Sequence, residues 1–159
     1  MSVYPARSAD PAFLIPLTPE ARQAALASAL PLLTLPFRVG RDRRDPNRTP
    51  PWPHRDRRRG GASGPNDLYL PEPGPQYRLS REHFLIGAEG DAYFLEDRGS
   101  ACGTLVEGRA VGGARTGGRC ALREGDVIIP GGSGSRFAFK FTYHPPPVGT
   151  EEGSPPTLS

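Results

Sequence analysis

Strand-like runs of three to five residues recur along this chain, each set off by Gly, Pro, Asn or Asp clusters. The runs Leu32–Leu35, Phe37–Val39, Asp67–Leu70, His83–Ile86, Ala92–Glu96, Thr104–Val106, Asp126–Ile129 and Phe137–Phe141 are too short for helices and read as strands. Phe137, Phe139 and Phe141 alternate with Ala138 and Lys140, the period of two that gives a strand one buried face. Phe13–Leu17 is a further, first strand. One segment carries helical signals instead. The Thr18 hydroxyl can cap free N–H groups, Pro19 fits the first helical position, and Glu20 complements the positive helix end. Ala21, Ala25, Leu26 and Leu30 then supply a modest apolar stripe until Pro31, which predicts a helix over 18–30. Many short strands with frequent turns predict an all-β sandwich or barrel carrying one short helical insertion.

Composition narrows the ordered part. The chain has 159 residues, 36% of them hydrophobic, with 20 Gly and 20 Pro, so much of it must be turn, loop or tail. The expected organisation is a mobile start at 1–11, one domain at 12–143, and a disordered tail at 144–159 that lacks core formers. Within the domain, 18–30 is a helical insertion and 42–65 an Arg/Pro-rich loop insertion. No stretch approaches the roughly 18 uninterrupted apolar residues of a membrane span, and the first residues lack the basic and apolar run of a signal peptide. The expectation is a cytoplasmic protein with no membrane contact.

Charge is concentrated in that loop. Residues 41–59 hold eight Arg and three Asp, a net of +5 against +3 for the whole chain, so the remainder is slightly acidic at −2. A local Arg/Pro run reads first as a solvated loop, second as an electrostatic contact to an acidic or phosphorylated protein, and third as an RNA or DNA contact with Trp52 as its one stacking ring. Cys102 and Cys120 are the only cysteines and form no Cys-x-x-Cys pair, while His54, His83 and His144 are scattered. Two reduced thiols in or near a core are expected, with no metal and no cofactor.

Catalytic patterns are weak. No Gly-x-x-x-x-Gly-Lys-Ser/Thr loop is present, and the Gly131–Gly134 run lacks its lysine, which leaves a turn. Ser80 and His83 are three apart, a spacing that faces opposite ways along an extended strand and makes no nucleophile pair there. The chain is not expected to be an enzyme.

Four pieces, in order, carry a more definite signal: Val39-Gly40-Arg41, Leu79–His83 (LSREH), Asp97–Gly108 (DRGSACGTLVEG) and Leu122–Ile129 (LREGDVII). Together they resemble the forkhead-associated (FHA) domain family over Phe37–Arg41 and Asn66–Phe141. The resemblance implies a β-sandwich of two twisted sheets that binds phosphothreonine peptides. Phosphothreonine brings about −1.5 to −2 charges and three acceptor oxygens, so its receptor needs fixed donors and a lasting positive charge. The family arginine that binds phosphate is matched by Arg41, whose planar fork suits bidentate contact, with Gly40 giving the backbone room. Ser80 matches the serine that also holds phosphate oxygens, and Arg81 a frequent second contact. His83, Asp97, Gly103, Thr104 and Gly108 match positions that shape the loops, the Thr104 hydroxyl being expected to satisfy a loop backbone group.

Departures are equally specific. Where the family has Ser-x-Asn-Gly-Thr, this chain has Ser100-Ala101-Cys102-Gly103-Thr104. Cys102 thus replaces an amide that bonds the ligand backbone, Ala101 removes a polar group often aimed at the phosphate, and Glu107 stands where a second Asn is usual. Three readings result. The first is a monomeric phosphothreonine-dependent protein-binding module downstream of a Ser/Thr kinase, using Arg41, Ser80, Arg81, Ala101 and Cys102. The second is a phosphate-independent scaffold of the same fold, and the third is nucleic-acid attachment through the Arg-rich loop.

Overall fold

A computed structural model describes residues 11–43 and 65–143. Most of the expected mobile start, the tail, and residues 44–64 of the Arg/Pro-rich insertion with Trp52 lie outside the described residues.

Strand β1 (Phe13–Pro16) leads into helix α1 (Pro19–Ala25), after which β2 (Leu30–Pro31) returns to pair with β1. Strands β3 (Phe37–Arg41) and β4 (Leu68–Leu70) flank the insertion, followed by β5 (Phe84–Glu89), β6 (Ala92–Asp97), β7 (Thr104–Val106) and β8 (Arg109–Val111). Strands β9 (Gly118–Leu122), β10 (Val127–Pro130) and β11 (Phe139–Thr142) complete the chain. One sheet runs β2-β1-β11-β10-β7-β8 and the other β4-β3-β5-β6-β9. This is the two-sheet sandwich that the resemblance implied.

The core explains the sandwich. Val39, Phe84, Ile86 and Leu95 of one sheet and Leu14, Val106, Ile128, Phe139 and Phe141 of the other are fully buried. Burying each such side chain contributes about 1.5–3 kcal/mol relative to exposure. Phe137 and Phe139 are buried and Lys140 exposed, as the alternation required, although pairing starts only at Phe139.

Several expectations need correcting. The helix stops at Ala25, five residues early, because Leu26 turns left-handed (φ 59°) and its amide closes on the Arg22 carbonyl at 2.9 Å. Its buried face is Ala21, Ala24 and Ala25, too small to hold a longer helix down, and Leu30 is needed for pairing with Leu14. Leu32–Leu35 is not a strand: Leu32 is buried, but Leu33 and Leu35 are exposed. Strands β8 and β9 were not anticipated, since Arg109-Ala110-Val111 and Gly118–Leu122 contain few strand formers.

Parallel pairing of β3 with β4 (Val39↔Leu68, Arg41↔Leu70) sets the geometry at one end of its sheet. Parallel neighbours require a crossover, and here the Arg-rich insertion connects them. Both strands therefore end side by side, so Arg41 and the loop after Leu70 emerge together.

Candidate functional site

One end of the sandwich gathers the loops 71–83, 98–103 and 112–117 with the turn after Pro130. They are bonded to one another. The Arg41 amide donates to the Ser80 carbonyl, the Ala114 and Arg115 amides donate to the carbonyls of Ala101 and Ser100, and the Gly131 amide donates to the Gly103 carbonyl, all at 2.8–2.9 Å.

Arg41 is half-buried at the end of β3. Its Nε donates to the Leu79 carbonyl at 3.0 Å, and its guanidinium carbon lies 3.9 Å from the centre of the Tyr77 ring. Gly40 must be glycine because the Arg81 carbonyl crosses it: a Cβ there would overlap that oxygen. Arg81 itself is exposed. Its carbonyl accepts from the buried Asn66 amide at 2.7 Å, and Asn66 Oδ1 in turn accepts from Arg98 at 2.6 Å.

Leu79 is held through its amide. Glu72 is buried, and its carboxylate accepts from the amides of Arg78 and Leu79 at 2.9 Å each. A carboxylate that ties two successive amides fixes a loop more firmly than neutral acceptors do.

Ser80 and His83 do meet, against the expectation drawn from an extended strand. The chain turns between them, and contact runs through the Ser80 amide, which donates to His83 Nδ1 at 2.9 Å. His83 Nε2 then donates to the Gly103 carbonyl at 2.8 Å. With both ring nitrogens occupied, neither is left to deprotonate the Ser80 hydroxyl. That oxygen instead accepts from the Ala101 amide at 3.0 Å. Burial lowers the pKa of His83, with the Gly103 carbonyl and the charge of Asp97 opposing to a smaller extent.

Asp97 folds the loop 98–103 around itself. Its Oδ2 accepts from the amides of Gly99 and Ser100, its Oδ1 accepts from the Ser100 hydroxyl, and the Ser100 oxygen accepts from the Gly103 amide at 2.9 Å. Gly103 and Gly108 adopt positive φ, as their turns demand. Thr104 departs from expectation: its hydroxyl is buried and finds no hydrogen-bond partner among the described residues, so it satisfies no loop group. Cys102 is exposed on the loop and not in a core, whereas Cys120 is half-buried and its thiol pKa is raised by desolvation. Among the described residues no group of three His, Cys, Asp or Glu is placed to hold a metal. Nor is any described helix long and apolar enough to cross a membrane.

A sequence model of the FHA domain matches residues 37–131. The chain belongs to the FHA-domain family. The FHA domain of CT664 from Chlamydia trachomatis is 20% identical, with a TM-score of 0.50 over 83% of this chain and 96% of that one. An FHA domain of an Arabidopsis thaliana hypothetical protein is also 20% identical, with a TM-score of 0.52 over 87% and 89% of the two chains. Mycobacterium tuberculosis EmbR, solved with a low-affinity phosphopeptide, is 19% identical with a TM-score of 0.52 over 84% of this chain but only 24% of EmbR. This chain therefore spans about a quarter of EmbR. No curated protein matches it.

Within this FHA domain, Asn66, Glu72, Tyr77 and Ser100 contribute to the site beyond the residues that the sequence motifs single out. Ser100 sits inside the family motif and was open to reading there. Glu72, Asn66 and Tyr77 act through backbone groups or another side chain, and short motifs do not record such contacts. Glu107 also does more than mark a changed turn residue. It sits at φ 50° in the β7–β8 hairpin, where Asn is favoured, and its carboxylate accepts from the Val127 amide at 2.8 Å.

Proposed function

We propose that this FHA domain is a phosphothreonine-dependent protein-binding module. The observation that carries the reading is the joining of Arg41 to the Ser80 loop, through the Arg41 amide to Ser80 and the Arg41 Nε to Leu79. A half-buried guanidinium with one nitrogen fixed, beside a hydroxyl already oriented by the Ala101 amide, offers a phosphate dianion preset donors. Arg81, exposed one residue on, adds charge to the rim. Ala101 and Cys102 complete the binding rim from the neighbouring loop, which the Ala101 amide ties to the Ser80 hydroxyl. A Ser/Thr kinase acting on the partner protein would supply the ligand, and one copy of the domain suffices to bind it.

A second reading, a phosphate-independent scaffold, draws on Ala101 and Cys102, which offer neither a polar side chain at 101 nor an amide at 102. One experiment separates the two. Phosphothreonine and unmodified peptides of the same sequence pool are titrated against the wild-type chain and Arg41→Ala. The phosphate reading requires a preference for the phosphorylated pool that Arg41→Ala removes, and equal binding of both pools establishes the scaffold.

A further inference from the structure

The face of the Arg41 guanidinium is covered by a residue that belongs to no strand and to no part of the core. Tyr77 lies in the loop 71–83 and stays 40% exposed, yet its ring centre is 3.9 Å from the guanidinium carbon. The loop makes space for this. A Cβ on Gly74 would come within 2.6 Å of the Tyr77 hydroxyl and 2.8 Å of its ring.

Resting on the phosphate reading of the site, we infer that Tyr77 is the positioning residue of the phosphate-binding arginine. A guanidinium is flat, and its direction is set once an edge and a face are fixed. Here the Nε edge is tied to the carbonyl of Leu79, a residue whose amide is held by Glu72, and one face rests on the Tyr77 ring. Among the described residues no acceptor engages the two terminal nitrogens. They form the edge presented to ligand, and four N–H groups remain for phosphate oxygens. A long side chain otherwise gives up rotamer freedom on binding, so holding it beforehand raises affinity without any new contact to the ligand. Stacking on an aromatic face suits arginine and not lysine, whose ammonium is a compact point charge.

The test uses NMR titration, which reads weak binding, with an alanine-flanked phosphothreonine heptapeptide and its unphosphorylated twin. Alanine flanks leave Tyr77 no ligand side chain to touch. Tyr77→Leu is expected to weaken phosphopeptide binding roughly two- to fivefold, and Tyr77→Phe, which keeps the ring, to stay near wild type. Gly74→Ala, which pushes the ring aside, is expected to follow Tyr77→Leu. In the free protein the Arg41 Nε–H signal should carry a ring-current shift that Tyr77→Leu abolishes and Tyr77→Phe retains. Unchanged affinity in Tyr77→Leu, or a Tyr77→Phe as weak as Tyr77→Leu, overturns the inference while leaving the phosphate reading intact. Equal binding of both peptides by the wild-type chain takes down the phosphate reading, and this inference with it.

Discussion

The Ser80 amide donates to Nδ1 of His83, and that bond decides which nitrogen of the buried imidazole carries the proton. Nδ1 must be the acceptor, so the proton sits on Nε2 and is donated to the Gly103 carbonyl. One neutral ring thereby joins the loop of Ser80 to the loop of Cys102 and Gly103.

The same ring makes stability depend on pH. Burial holds the pKa of His83 below its ordinary value of 6.5 in the folded chain. Above that value the ring is neutral in both folded and unfolded states, and its contribution is intact. As pH falls through 6.5 the unfolded chain takes up a proton that the folded chain refuses, so stability declines toward the folded pKa. Urea midpoints measured between pH 7.5 and 5.5 should fall for the wild-type chain and run flatter for His83→Gln. His83→Ala, which strands the Ser80 amide and one bond of the Gly103 carbonyl, is expected to cost about 2–4 kcal/mol at pH 7.5.

Gly40 gives a sharper steric test. Its missing Cβ is the gap through which the Arg81 carbonyl passes, and the clash is with backbone, which has little freedom to give. Gly40→Ala should destabilise the fold by about 2–4 kcal/mol, and its amide spectrum should change first at residues 80–82. A wild-type melting temperature for Gly40→Ala would show that the loop has slack the contact does not suggest.

Most of the fold was legible because it rests on period-two burial, as in Phe137, Phe139 and Phe141, and on turn glycines at fixed offsets. What escaped reading did so for physical reasons. Strands β8 and β9 each bury a single core side chain, Val111 and Leu122, among positions that include the exposed Arg109 and Arg119, so their sequences carry no run of alternating apolar residues. Within the site, Arg41, Ser80 and His83 belong to short local motifs, and the structure brings Arg41 and His83 to Ser80. Glu72 and Asn66 are glutamate and asparagine in loops, where burial is the exception, and only the folded chain reveals the amides and carbonyl they hold.

Arg41→Lys separates charge from geometry. Lysine keeps the positive charge but has no Nε–H for Leu79 and no flat face for Tyr77. Phosphopeptide affinity, read by calorimetry, should fall at least about tenfold in Arg41→Lys, close to Arg41→Ala, with stability little changed. Full activity of the lysine variant would reduce the site to a charge effect.

Glu72→Ala tests the support behind that arginine. Removing the carboxylate leaves the Arg78 and Leu79 amides without their acceptor, the first in a partly buried and the second in a buried setting. A stability loss of about 1–3 kcal/mol is expected, and hydrogen exchange at Leu79 should accelerate more than exchange in the core strands. Leu79 exchange unaltered by the substitution would mean that the loop is held by other groups.

Cys102→Asn reverses the departure from the family pattern. Cys102 is exposed, and it lies between the Ala101 amide bonded to Ser80 and the Gly103 carbonyl bonded to His83, so the backbone on both sides is already anchored. An asparagine there regains an amide for the ligand main chain without asking the loop to move. One such hydrogen bond is worth about 0.5–1.5 kcal/mol, so affinity for phosphothreonine peptides should rise up to about tenfold, with binding of unmodified peptides left weak. A gain shared equally by both peptides would place the new amide on a surface indifferent to phosphate, whereas a gain confined to the phosphopeptide ties position 102 to the same ligand as Arg41.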